Sequence, residues 1–243
     1  MGNKVLEIIN LRKEFRKNIA VDGVSFHLEE GEIVGLIGPN GAGKTTTIKC
    51  ILGLLRKNSG EVLVDGFSNK VQESKYKLAY IPETPDIYPM LTVWEHLKFM
   101  ALAYYLKDWE EDAEKILKRF DLFEKRNDLG RDLSKGMKQK VSICCALIHK
   151  PDVFLVDEPL VGLDPKAMRE LKDAFKGLKA EGKSILVSTH MLDSAEGFCD
   201  RVIIMKKGKI ITEGTIEELR ERTHADENSS LEDLFLEVTQ DEK

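Results

Sequence analysis

The stretch Gly38-Pro39-Asn40-Gly41-Ala42-Gly43-Lys44-Thr45 constrains this chain more than any other feature. It satisfies the pattern G-x-x-x-x-G-K-[ST] at every fixed position. Before it runs Glu32-Ile33-Val34-Gly35-Leu36-Ile37, which reads as a buried strand, and after it runs Thr46-Thr47-Ile48-Lys49-Cys50-Ile51-Leu52, which reads as a helix. The arrangement suits a triphosphate, which needs many donors at once. A tight glycine turn supplies them from backbone N–H groups. Gly41 and Gly43 let the backbone approach where a Cβ would clash. The helix behind the turn points its positive end at the anion. Lys44 then reaches the β- and γ-phosphates, the Thr45 hydroxyl binds Mg²⁺, and Gly38 through Thr46 are the expected nucleotide contacts.

A second element of the same chemistry lies downstream. Val153-Phe154-Leu155-Val156 is nearly continuously apolar, as in a parallel sheet buried on both faces, and it ends in Asp157-Glu158-Pro159. A carboxylate at the end of such a strand is where a phosphate-loop ATPase holds Mg²⁺, and Asp157 fits that position. Glu158 is the next carboxylate, placed to orient or deprotonate an attacking water. Ser184-Ile185-Leu186-Val187-Ser188 repeats the apolar style and leads to His190, with an amphipathic crossover helix expected over residues 166 to 180 between the two strands.

Short strands are expected at Val5–Ile9, Val24–Leu28, Glu61–Val64 and Leu78–Ile81, and a hairpin at Arg201–Met205 and Lys209–Thr212. From Thr92 to about residue 148 the pattern changes. Val93, Leu97 and Met100, and then Ala113, Ile116, Leu117 and Phe120, fall at helical spacing. Trp94, Leu97, Phe99 and Leu102 are expected to be mostly core. Ser134 is a helix N-cap before the apolar run Val141 to Ile148. The outline is a sheet-based nucleotide lobe interrupted by a helical insertion.

The bulk numbers exclude some classes. With 42% apolar and 33% charged residues among 243, the chain has the balance of a folded globular protein. A net charge of −5 speaks against a nucleic-acid surface. No apolar run approaches the roughly 18 residues that span a bilayer, and the first residues lack a secretory signal. Cys50, Cys144, Cys145 and Cys199 form no C-x-x-C pair, so they read as small core residues in a reducing compartment. His27, His96, His149 and His224 receive structural readings.

Leu133-Ser134-Lys135-Gly136-Met137 precedes the Asp157 strand and, taken with the two elements above, resembles the signature segment of the ATP-binding cassette family, usually Leu-Ser-Gly-Gly-Gln. Gly162-Leu163-Asp164-Pro165 is similar to that family's D-loop, Ser188-Thr189-His190 to its switch-histidine segment, and Tyr80-Ile81-Pro82-Glu83 to its Q-loop. Phe15 matches the aromatic residue that stacks on adenine. The resemblance runs from about residue 4 to about 220.

The resemblance implies an α/β fold: a phosphate-loop NTPase core with a mixed sheet, an antiparallel β subdomain and a helical insertion. It divides the chain into a nucleotide-binding domain over 1–225, made of lobe and β subdomain at about 1–90 and 149–225 and a helical subdomain at about 91–148, and an acidic tail over 226–243. The tail is expected to be helical at Leu231, Leu234 and Phe235 and simply solvated. The implied cofactors are ATP and Mg²⁺, with Thr45, Glu83 and Asp157 toward the metal and Glu158, His190 and Lys44 as catalytic groups. The implied partners are a second cassette, whose ATP is capped by this chain's Ser134 and Gly136, and a separate membrane permease that holds the chain at the inner face of the membrane. Part of Thr84 to Tyr105 is implied to line the groove for the permease. No nucleic acid is expected.

Three positions depart from the family pattern. Glu83 stands for the usual Gln and adds negative charge, Lys135 replaces the first signature glycine and is expected to add positive charge near the opposed ATP, and Met137 replaces the terminal Gln. Glu83 and the relaxed signature resemble bacterial exporter cassettes that serve ABC-2-type permeases. Two rivals remain at this stage: a soluble cassette ATPase acting on ribosomes or DNA, and a phosphate-loop kinase, which would need an acceptor pocket.

Overall fold

The computed structural model describes residues 2–16, 18–223 and 230–240. In chain order the elements are β1 (Lys4–Phe15), β2 (Asn18–Glu29), β3 (Ile33–Ile37), α1 (Lys44–Ile51), β4 (Ser59–Val64), β5 (Phe67–Ser68), α2 (Gln72–Tyr76), β6 (Leu78–Ile81), α3 (Val93–Ala103), α4 (Glu110–Arg119) and α5 (Lys135–Leu147). They continue with β7 (Val153–Asp157), α6 (Pro165–Ala180), β8 (Ser184–Thr189), α7 (Leu192–Ala195), β9 (Arg201–Lys206), β10 (Lys209–Gly214), α8 (Ile216–Thr223) and α9 (Leu231–Gln240).

The strands form two sheets. One is antiparallel, in the order β2-β1-β4-β5. The other has the order β10-β9-β3-β8-β7-β6, parallel throughout except for the antiparallel edge strand β10. Its central strands β3, β7 and β8 are buried at every residue, which is why their sequences are apolar without alternation. The side chains still divide by face. Val34, Leu36, Val153 and Leu155 meet α1 and the antiparallel sheet. Phe154, Val156 and Ile185 meet the helices α3 to α6 through Leu97, Val141 and Phe175. Helix α1 is therefore held in the layer between the two sheets, with Ile48 and Ile51 fully buried.

Local chemistry sets the helix starts. Thr92 and Glu95 form a reciprocal capping box on α3. Asp164 accepts the Ala167 amide at 2.9 Å and Pro165 takes the first turn of α6. Glu110, Glu111 and Asp112 open α4 and Lys118 and Arg119 close it, matching the helix dipole at both ends.

Three expectations need correction. The first two strands extend well past Ile9 and start well before Val24, forming one long hairpin that ends at Phe15 and Asn18. Polar residues Asn10, Arg12, Lys13 and Glu14 hid the extension, and Asn10 at φ 49° with the register shift after Ile8 marks where the strand bends. The four residues expected to be mostly core divide evenly at best. Leu97 is fully buried and Trp94 half-buried, while Phe99 and Leu102 are 49% and 61% exposed. The C-terminal segment is not simply solvated. Leu231 and Leu234 on α9 are fully buried against Ala195 of α7 and Ile216 and Leu219 of α8. The reading of His224 and those of the tail at 226–229 and 241–243 lie outside the described residues.

Candidate functional site

The parallel register brings the carboxyl ends of β3, β7 and β8 level, with Ile37 opposite Thr189 and Asp157 opposite Ser188. Ligands of open α/β sheets bind beyond such strand ends. A cleft of about 740 Å³ opens there, lined by Phe15, Asn40 through Thr46, Glu83, Glu158 and His190. Asn18, Ile19, Ala20, Val161 and Lys207 complete its wall.

The loop from Gly38 to Thr46 is shaped by close backbone approach. A Cβ on Gly38 would lie 2.3 Å from the Met205 carbonyl, and one on Gly43 would lie 2.5 Å from the Ala20 carbonyl. Gly41 and Gly43 also take φ values of 82° and 108°. Pro39 accepts the Ala42 amide at 3.1 Å, and the Gly208 amide donates to the Ala42 carbonyl at 2.9 Å, which pins the β9–β10 turn against the loop. Gly43 is the N-cap of α1 and offers no side-chain cap. The first amides of α1 thus face the cleft without an internal acceptor, the arrangement that holds a phosphate.

Charged groups converge on that helix end. The buried Lys44 ammonium donates to the Gly38 carbonyl at 2.7 Å and lies 3.2 Å from Glu158 Oε1. The other oxygen of Glu158 accepts from His190 Nδ1 at 2.9 Å and from the His190 backbone amide at 3.2 Å. Because a carboxylate only accepts, the His190 proton in this pair sits on Nδ1. Glu158 holds φ 46°, an unusual backbone state for a residue with a side chain, and such strain concentrates at functional positions. Its amide donates to the Ser188 carbonyl at 3.0 Å, which keeps the residue in place.

Asp157 sits behind the cleft wall. It accepts from the Thr45 hydroxyl at 3.1 Å and from the Ser188 hydroxyl at 2.5 Å. Among the described residues no cluster of three or more His, Cys, Asp or Glu could enclose a metal ion. Two neighbouring oxygen ligands, one hydroxyl and one carboxylate, instead fit Mg²⁺, which keeps several waters and takes phosphate oxygens rather than an all-protein cage. The local field agrees. Burial, followed by the charges of Asp157 and Glu83, pushes the Tyr80 phenol up to about 12. Glu83 itself is exposed at the rim of the cleft.

Phe15, at the end of β1, presents a 44% exposed ring to the cleft with the Lys13 ammonium 4.6 Å from its centroid. Ser134 and Gly136 are not in this cleft. They border a separate hollow of about 320 Å³ together with Gly162, Leu163 and Asp164. Ser134 caps α5, its hydroxyl accepting the Met137 amide at 3.3 Å. Lys135 does not lie free beside them, since its ammonium donates to the Val161 carbonyl at 2.7 Å. Met137 is half-buried against the helical core.

Ile19, Ala20, Val161 and Lys207 were not foreseen. Nothing in their local sequence marks them: Ile19 and Ala20 reach the cleft through the long β1–β2 hairpin, Lys207 through the β9–β10 turn, and Val161 through the turn that follows Glu158. Glu158 at positive φ carries a mark that only coordinates reveal.

The chain is similar to known proteins in sequence and in fold. The profile of the family described as ABC transporter matches residues 21–161, more than half of the chain. The chain is 40% identical over 242 residues to the ABC-type transporter ATP-binding protein EcsA of Bacillus subtilis, covering 98% of both chains. It is 38% identical over 221 residues to the SkfA peptide export ATP-binding protein SkfE of the same organism, covering 90% of this chain and 92% of that one. Among solved structures, an ATP-binding subunit of an ABC transporter superposes with a TM-score of 0.89 at 38% identity, over 97% of this chain and 99% of the other.

Proposed function

The chain belongs to the ABC transporter family, and we propose that it closes head to tail on a second cassette over two Mg·ATP and drives a separate membrane permease, in an export-type system. The ATP-binding subunits of this family are ATPases coupled to transport. The similarity to SkfE, named for peptide export, supports the exporter assignment. Family membership sets aside the kinase, and the transporter relatives disfavour a ribosome- or DNA-directed role.

One observation carries the shared-site reading: the capped N-terminus of α5, with Ser134 and Gly136, borders a hollow separate from the cleft that holds Lys44 and Glu158. An exposed helix N-terminus outside the chain's own cleft suits a phosphate brought by another molecule. In this reading Phe15 stacks on adenine, backbone amides of the cleft-lining loop between Asn40 and Thr46 and the Lys44 ammonium hold the polyphosphate, and Ser134 and the Gly136 amide cap the partner's γ-phosphate. Mg²⁺, held by Thr45 and Asp157 with Glu83 at the rim, supplies charge neutralisation on the phosphate oxygens. Glu158 orients a water and takes its proton as the water oxygen attacks the γ-phosphorus, the bond to the ADP oxygen breaks, and ADP and phosphate result. His190 holds Glu158 and bears on the γ-phosphate.

The division into a nucleotide-binding domain over 1–225, with its helical part over 91–148, and a terminal segment belongs to the same proposal. So does the permease contact. A groove of about 350 Å³ between the β6 end, α3 and α5 carries Tyr88, Phe99 and Tyr104, an aromatic surface suited to a helix from another polypeptide. No helix among the described residues is long and apolar enough to cross a membrane. In this reading the permease holds the chain at the inner membrane face.

Glu158→Gln tests the reading directly. It should keep ATP binding, lower turnover by about a hundredfold or more, and trap a dimer in Mg·ATP by light scattering. Normal turnover would remove Glu158 as the base, and a monomer at saturating Mg·ATP would remove the shared site.

A further inference from the structure

Lys135 stands where a cation is unfavourable. It is the first residue of α5, at the positive end of the helix dipole, and the first turn holds no acidic residue to offset it. Its head is committed to its own chain. The ammonium donates to the Val161 carbonyl at 2.7 Å, and Gly162 leaves the room, since a Cβ there would lie 2.2 Å from the nitrogen. Val161 is itself part of the nucleotide cleft wall, three residues beyond Glu158. Its amide donates back to the Glu158 carbonyl at 3.3 Å. A second tie lies one turn further on, where Lys140 meets Glu170 of α6 at 2.8 Å.

These contacts make a continuous path from the cleft to the α5 N-terminus: Glu158, the Glu158–Val161 turn, Lys135, and then Ser134 and Gly136 beside it. We propose that Lys135 is a positioning residue that couples the two nucleotide sites of the assembled pair, setting the α5 end that meets the partner's nucleotide according to the state of the 158–163 segment in its own cleft. The coupling runs through an intramolecular bond of the ammonium, not through contact of that charge with the opposed polyphosphate. The proposal rests on the shared-site reading above.

Lys135→Met keeps the length of the side chain and removes the donor; Lys135→Arg keeps a donor and the charge. Hydrogen exchange is measured first on the full chain without nucleotide, where no partner is involved. Lys135→Met should speed exchange of the 160–163 amides by about threefold to tenfold, and Lys135→Arg should restore protection. Steady-state hydrolysis then reads the coupling. Lys135→Met should lower kcat by about threefold to tenfold with KM for ATP changed less than about twofold, and should bring the Hill coefficient for ATP to that of independent sites, with Lys135→Arg near the parent. Unchanged exchange at 160–163 overturns the bond as a structural tie. Faster exchange with parental kcat and Hill coefficient, in a chain whose Glu158→Gln form dimerises with Mg·ATP, overturns the coupling. If the Glu158→Gln form stays monomeric, the shared-site reading falls and takes the coupling with it, an outcome the nucleotide-free exchange arm keeps distinct from the first.

Discussion

Helix α1 starts at Gly43, held at φ 108° with no side-chain cap, while α5 starts at Ser134, whose hydroxyl accepts the Met137 amide. Both ends present backbone donors along a helix dipole. The α1 end is enclosed by its own chain. Lys44 is buried beside it, Glu158 and His190 close one side, and the β1–β2 hairpin and the β9–β10 turn close another. The α5 end is exposed, carries no buried charge, and is satisfied by its own serine. The difference teaches what a shared site requires of each half. The half that recognises the nucleotide is built rigidly into the carboxyl edge of a buried sheet. The half that completes it is kept on the surface and capped by its own serine; Lys135 ties it to the cleft wall at Val161, while the rest of α5 packs into the helical core through Val141 and Ile143.

The largest expected effect attacks the enclosed half. Lys44→Ala removes the cation from the phosphate cradle and leaves Glu158 buried beside one partner fewer. ATP affinity should fall by about tenfold to a hundredfold and turnover by about a thousandfold. Stabilisation of the single chain by Mg·ATP in thermal melts should shrink accordingly. Retention of ATP-dependent stabilisation would mean that the enclosed half does not hold the polyphosphate through Lys44.

The exposed half should answer differently. Ser134→Ala deletes the α5 cap at a cost of about 1 kcal/mol and should lower turnover by about tenfold to a hundredfold. ATP affinity of the single chain, measured by calorimetry below the dimerisation concentration, should stay within about twofold of the parent. A matching loss of monomer affinity would break the contrast between the two helix ends, because it would place Ser134 at the chain's own nucleotide.

This contrast also explains what the amino-acid order could reveal. The enclosed half is legible because its chemistry is local: the glycine turn, Lys44, Thr45 and the Asp157-Glu158 pair sit in two short runs beside buried strands. Ser134 was legible as a cap for the same reason. What stayed hidden depends on contacts between distant segments. Ala20 and Lys207 reach the cleft through the β1–β2 hairpin and the β9–β10 turn, the latter pinned by the Gly208–Ala42 hydrogen bond. Lys135 looked like a charge for an opposed phosphate, and only its 2.7 Å bond to Val161 shows where the head goes. The amphipathic pattern of α9 announced a helix, but the face it covers is assembled from α7, α8 and β9, so its burial could not be read from the acidic composition of the segment.

The smallest expected effect concerns how the exposed half is fastened to the sheet. His96 on α3 bridges two backbone groups, Nδ1 at 2.7 Å from the Thr92 carbonyl and Nε2 at 2.9 Å from the Tyr88 amide. A carbonyl needs a donor and an amide needs an acceptor, so the ring is neutral with its proton on Nδ1. Burial lowers its pKa below the ordinary 6.5, outweighing the Thr92 bond and the Glu95 charge, and burial likewise lowers that of His149, which stacks on Tyr104 at 3.9 Å. The sign follows. The unfolded chain binds these protons more readily, so their contribution is present above about pH 6.5 and is lost as pH falls from there toward the lowered folded-state values. Protonating Nε2 of His96 would set a proton against the Tyr88 N–H and loosen the 88–96 connection to the segment that carries α5. Acidification from pH 7 to pH 5 should therefore raise hydrogen exchange over residues 88–103 before it changes exchange in β3, α1 and β7, and the single chain should keep its Mg·ATP affinity to lower pH than the assembled pair keeps its hydrolysis. His96→Gln, which retains a donor and an acceptor but does not titrate in this range, should flatten the acid dependence at 88–103 while leaving that of the cleft as it was. Simultaneous loosening of cleft and helical segment in the parent would show that the two halves are one cooperative unit rather than a rigid site with a separately fastened cap.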